Sequence, residues 1–138
     1  MCCCNENNIE GASSGGAFAL PEQWAQNDVA ANQAAVSMSA QVSTNFDTIK
    51  MPRAGILTAL TTRFTEAITA GTCTIIVTIN GVATALQLVH TNASNSSGGV
   101  AQIGVAYAAG DLIGMTITTD AGFLPITTDA EAWIMAQE

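Results

Sequence analysis

Thr72-Cys73-Thr74-Ile75-Ile76-Val77-Thr78-Ile79, then Asn80-Gly81, then Val82-Ala83-Thr84-Ala85-Leu86-Gln87-Leu88 is the stretch that decides the fold. Apolar side chains recur at every second position on both sides of Asn80-Gly81, the period of a strand with one buried face. Asn-Gly accepts the two positive φ angles of a type I′ turn, so the stretch reads as a two-residue β-hairpin. Cys73, Ile75, Val77 and Ile79 are expected on one face, with Val82, Thr84, Leu86 and Leu88 on the returning strand. The Thr and Ile content and the turn both argue against a helix.

The same reading extends outward in both directions. Val36, Met38, Ala40 and Val42 alternate with Ser37, Ser39, Gln41 and Ser43, which predicts one half-buried strand. Ile56 to Phe64 predicts another, with Ile56, Thr58, Leu60, Thr62 and Phe64 on one face and Leu57, Ala59, Thr61 and Arg63 on the other. Beyond the hairpin come a polar loop from Thr91 to Gly99, a strand from Val100 to Tyr107 and a turn at Ala109-Gly110-Asp111. A strand from Leu112 to Thr119, a connection from Asp120 to Thr128 containing Pro125, and a closing strand from Ala130 to Gln137 complete the chain. Ala70-Gly71-Thr72 and Ala109-Gly110-Asp111 read as one corner used twice. No βαβ alternation is visible. About eight short strands at this spacing predict an all-β fold, an antiparallel jelly-roll-like β-sandwich.

Residues 1–20 carry isolated apolar side chains, Ile9, Phe18 and Leu20, among Asn, Ser and Gly without any period. They read as an extended N-terminal arm that cannot fold alone and that a partner chain is expected to hold. Residues 21–35 read as a neck or a first strand: Pro21 suits a helical turn, and an extended segment would drop Trp24 onto a surface. Residues 36–138 are the predicted sandwich domain.

The chain has 138 residues, 49% hydrophobic but only 10% charged, against about 25% charged in an average globular protein. Seventeen Thr, with Ser, Asn, Gln, Ala and Gly, must therefore cover much of its surface. Such a surface is neutral and easily desolvated, which suits a subunit buried against neighbours. Lys50, Arg53 and Arg63 face eleven acids, for a net charge of -8. Phosphate backbones need clustered Lys and Arg, so no nucleic-acid partner is expected. No run of 18 apolar residues exists, so no transmembrane helix and no membrane partner are expected. The start, Met1-Cys2-Cys3-Cys4-Asn5-Glu6, has neither the basic nor the apolar region of a secretory signal, so export by that route is not expected.

The chemistry-bearing residues do not assemble into a catalytic pattern, and no enzyme activity, cofactor or metal is expected. His90 has no nucleophile or orienting acid nominated beside it and reads as a loop-edge histidine. Asp111, Asp120 and Asp129 fall at turns, where Asp caps local N–H groups; Ca²⁺ binding would require them to meet at one end of the sandwich. Glu66 and Glu131 are the only strand-borne acids for a glycosidase pair, and solvation explains both more simply. Cys2, Cys3 and Cys4 are contiguous, unlike zinc ligands, and read as thiols packed against a partner, with interchain disulfides the alternative. Cys73 reads as core. The sequons at Asn92 and Asn95 read as polar-loop composition. Trp24, Phe46, Phe123 and Trp133 are the large anchors; Trp133 alternates with Glu131, Met135 and Gln137, so the outer face of the last strand and the core are both open to it.

Met51-Pro52-Arg53-Ala54-Gly55-Ile56, Thr65-Glu66-Ala67-Ile68-Thr69-Ala70-Gly71-Thr72, Asn80-Gly81, Ala108-Ala109-Gly110-Asp111-Leu112-Ile113-Gly114 and Thr118-Thr119-Asp120 together resemble the jelly-roll domains of tailed-bacteriophage head decoration (cement) and head-fibre proteins. The resemblance runs from about Trp24 to the C-terminus; Cys2-Cys3-Cys4 has no counterpart in it. It implies a structural protein of the virion: a homotrimer on the outer surface of a viral capsid, assembled in the host cytoplasm, whose arm grips the major capsid protein. Cys2, Cys3, Cys4, Ile9, Phe18 and Leu20 would then be the docking residues, and Trp24 and Trp133 the trimer contacts. The alternative is a head-fibre or knob domain touching host surface glycans through Asn92, Asn95 and Phe123 in its polar loops.

Overall fold

A computed structural model describes residues 17–40 and 46–137. The described residues form eleven strands in two antiparallel sheets: β1 (Ala17–Gln26), β2 (Val36–Ser37), β3 (Ser39–Ala40), β4 (Thr48–Lys50), β5 (Gly55–Phe64), β6 (Thr72–Ile79), β7 (Val82–Thr91), β8 (Gly98–Ala101), β9 (Val105–Tyr107), β10 (Leu112–Thr119) and β11 (Ala130–Gln137). Sheet A has the order β3-β1-β11-β5-β8, with β9 also on β5; sheet B has the order β2-β10-β6-β7, with β4 also on β10.

If β2 to β4 count as one run and β8 with β9 as another, the eleven strands reduce to eight runs. These are ordered 1-8-3-6 in sheet A, with β3 of the second run added beside β1, and 2-7-4-5 in sheet B. That is the strand order of a jelly roll, a long hairpin folded over on itself. The predicted fold class is therefore the observed one.

Between the sheets lies one apolar core, in which Trp24, Leu60, Ile75, Leu86, Ile117 and Ile134 are all fully buried. At the hairpin, Asn80 and Gly81 take φ values of 52° and 78°, as the turn requires. The two corners read as alike do share a feature, since Gly71 and Gly110 both sit at positive φ, 71° and 90°.

Five local readings are corrected. The first strand begins at Ala17, inside the predicted arm, and pairs Ala17, Phe18 and Ala19 with Gln137, Ala136 and Met135. The strand read from Val36 to Ser43 is two pieces: Val36 and Ser37 pair with β10 in sheet B, whereas Ser39 and Ala40 pair with β1 in sheet A. Met38 sits at the crossing, fully buried, and its N–H donates to the Met115 carbonyl. In β5 the face alternation breaks at a bulge, because Met135 faces Ala59 while Ala136 faces Leu57 and Thr58 is left over. Leu57 thereby turns inward and Ile56 is exposed. A larger bulge sets Thr84, Ala85 and Leu86 opposite Val77 alone, held by the Thr84 hydroxyl donating to the Val77 carbonyl at 2.8 Å. Val82, read as facing inward, is 69% exposed. Lastly, the run from Val100 to Tyr107 is broken into β8, which starts two residues earlier, and β9.

Candidate functional surfaces

The two tryptophans separate. Trp24 is fully buried, and its Nε1 donates to the Asp47 carbonyl at 3.0 Å, so it is core and no trimer contact. Asp47 follows Phe46, whose carbonyl accepts from the N–H of Ala40, the residue paired with Trp24 on β3, so the chain beyond β3 brings a backbone acceptor to the indole's one donor. Trp133 lies on the outer face of sheet A, half-buried, with Glu131 and Met135 on the same face of β11.

Register builds that face row by row. Gln23, Trp133, Thr61 and Val100 stand side by side across β1, β11, β5 and β8. The neighbouring row is Ala25, Glu131, Arg63 and Gly98. Val100 is exposed beside Thr61. The surface is thus apolar or neutral apart from one acid and one base directly opposite each other, on a chain whose net charge is -8.

The polar loops are built differently from the glycan reading. Phe123 is 1% exposed and packs into the core, so it offers no face to a sugar. Asn95 is exposed, but its Nδ2 donates to the Val89 carbonyl on the free edge of β7 at 3.1 Å. Its backbone carbonyl accepts from His90 Nδ1 at 2.9 Å. Asn95 therefore straps the loop over a sheet edge that would otherwise be open to pairing with another chain. Asn92 is exposed.

His90, read as a loop-edge residue, is fully buried. With Nδ1 donating to a carbonyl, Nε2 is the acceptor for the Thr62 hydroxyl at 3.3 Å. Thr62 Oγ1 in turn accepts from the Gly99 N–H at 3.1 Å, and Phe64 meets the imidazole edge to face at 4.8 Å. The sequence signal that could have found this is the alternation of Leu86, Leu88 and His90, which puts all three on the buried face of β7. Burial lowers the imidazole pKa below its ordinary 6.5, and the hydrogen bond to Asn95 opposes that shift. The unfolded chain then binds the proton more readily, so this contribution to stability is complete above 6.5 and is lost as the pH falls below it. Protection factors across Thr91–Gly98, corrected for the intrinsic exchange rate at each pH, are expected to fall between about pH 7 and 5, and His90→Gln to flatten that dependence. An unchanged pH profile in the variant would refute this role.

The acids do not converge. Asp111 precedes β10 and Asp120 follows it, about 30 Å apart along the strand. Asp111 accepts from Asn80 Nδ2 and the Ala108 N–H, both at 2.8 Å, tying the hairpin turn to the Gly110 corner. These two bonds, the Ala108 one foremost, hold its carboxyl below the usual value. At the other end Asp120 accepts from Thr72 Oγ1 and the Gly122 N–H, and Asp129 from the Asp28 N–H. Glu66 Oε1 accepts from Thr127 Oγ1 at 2.7 Å. Among the described residues no group of three His, Cys, Asp or Glu could hold a metal ion. The Cys73 thiol is buried and pushed up to about 12 by desolvation, which leaves it an inert core residue.

Cys2, Cys3, Cys4 and Ile9 lie outside the described residues; Phe18 and Leu20 belong to β1. No protein-family model and no curated protein matches the chain.

Proposed function

We propose that this chain is a structural capsid decoration (cement) protein: a homotrimer on the outer surface of a viral capsid, docked to the major capsid protein through the part of the arm that precedes β1. The observation that carries the reading is the outer face of sheet A, with Trp133 at its centre. Interfaces favour Trp, Met and Arg and disfavour other charges. Copies of a chain at -8 repel one another except where opposite charges can pair, and Arg63 beside Glu131 offers both signs to a neighbour. The jelly-roll order and the turn and strand-start resemblance supply the capsid part. A shell-bound subunit stabilises the shell by mass action, because it binds only the assembled form.

Light scattering on the purified full chain is expected to give a trimer mass. Trp133→Arg is expected to weaken self-association roughly thirtyfold or more, as loss of a central aromatic anchor does, while leaving the fold intact because the side chain is on the outer face. A monomer at all concentrations, or an unperturbed trimer in the variant, would remove this surface from the account.

A further inference from the structure

A cleft of about 250 Å³ opens on the opposite side of the molecule, on the outer face of sheet B. Register explains how it forms. Thr48, Gly114 and Thr78 stand in one row across β4, β10 and β6, and Ser37 and Thr116 stand side by side in the adjoining row of β2 and β10. Because Gly114 has no side chain, the middle of the first row is a pit. A Cβ there would meet Thr78 Oγ1 at 3.0 Å, Thr48 Cγ2 at 3.1 Å and the Asp47 carbonyl at 3.3 Å. Ala35, Asp47, Gly81 and Met115 complete the lining.

The polar groups in this cleft lack protein partners. Among the described residues, the side chains of Ser37, Thr48, Thr78, Thr116 and Asp47 make no hydrogen bond. Thr78 lies deepest among them: the residue is only 6% exposed, yet its hydroxyl borders the pit and stays open to the cleft, free to bond whatever enters it.

We propose that this cleft binds a small neutral polyol, the size of a single sugar ring. Hydroxyls both donate and accept, so four Ser and Thr hydroxyls match the alcohol groups of such a ring in either sense. The Asp47 carboxylate accepts from two adjacent hydroxyls at once. The Thr methyls and Gly114 supply the apolar contact that a ring's C–H face needs. No Lys or Arg lines the cleft, which disfavours phosphates and acidic sugars. A single carboxylate is a poor set for Ca²⁺, which takes six to eight oxygens, commonly several of them carboxylate. The volume lies under the roughly 300–1,000 Å³ of drug-sized pockets, so one ring fits and a longer chain would have to continue outside. This site is separate from the self-association face on sheet A and does not depend on the capsid reading.

The test is a titration of the ¹⁵N-labelled full chain, separately with D-glucose, D-galactose, D-mannose, N-acetyl-D-glucosamine and myo-inositol, with calcium chloride and sodium phosphate as controls. Saturable shifts are expected for at least one of the polyols, centred on the amides of Ser37, Thr48, Thr78, Gly114 and Thr116. Thr78→Val keeps the shape and removes the hydroxyl, and is expected to weaken that binding about tenfold. Gly114→Val is expected to abolish it; should that variant fail to fold, Thr78→Val with an otherwise native spectrum still decides. No saturable shift at these amides with any polyol, unchanged binding in Thr78→Val, or a response to calcium or phosphate alone would overturn the proposal.

Discussion

Trp24→Ala is expected to destabilise the domain by about 3–5 kcal/mol, the usual cost of removing a fully buried indole. The side chain is fully buried, on a strand flanked by β11 and β3, so the cavity would open where three strands meet. The variant also frees the Asp47 carbonyl from the indole N–H and loosens the start of β4. A domain of this size has about 5–15 kcal/mol in all, so a large unfolded fraction should appear well below the wild-type midpoint. Urea unfolding of both proteins measures the difference. A loss under about 1 kcal/mol would mean that Trp24 is not the core residue described here.

The second large effect concerns where the domain begins. Removing residues 1–16 is expected to leave the melting transition nearly unchanged, because β1 starts at Ala17. Removing residues 1–26 takes away β1 itself, which pairs with β11 over seven aligned positions and with β3 over two. That deletion strips Trp24 from the core and leaves β11, with Trp133 on its outer face, as an unpaired sheet edge. The shorter protein is expected to be insoluble or to lack a cooperative transition. A cooperative melt of residues 27–138 close to that of the full chain would contradict the placement of β1.

Much of this architecture was legible in the sequence, for local reasons. Asn80-Gly81 determines its own turn, and the strands Leu112–Thr119 and Ala130–Gln137 alternate without interruption, so pattern alone locates them. The misreadings all sit where a distant partner decides. Thr58 is extra only because β11 runs past it, and the chain switches sheets at Met38 only because the Met115 carbonyl and the core receive it there. Period two is equally compatible with one strand or with two short ones in different sheets. Trp24 looked like a surface residue because its acceptor lies 23 residues away. His90 has the composition of a loop edge, but its partners, Thr62 and the Asn95 carbonyl, come from β5 and from the far side of the loop.

Candidate sites followed the same division. Trp133 on the outer face of β11 was one of the two placements that alternation allowed, and alternation reports faces. The cleft at Gly114 was invisible, because it depends on Thr48, Ser37 and Thr78 reaching β10 from three different parts of the chain. Phe123 misled in the opposite direction: a phenylalanine in a connection looks available until the connection packs it inward.

The reading of the chain as a capsid decoration protein stands or falls on binding to shells. The most direct measurement is co-sedimentation of the full chain, and of residues 17–138, with shells assembled from the cognate major capsid protein. The full chain is expected to saturate the shells in multiples of three, and residues 17–138 to stay folded and trimeric in the supernatant. Equal binding by both proteins would take the docking role away from residues 1–16, and absence of binding by the full chain would contradict the capsid reading itself.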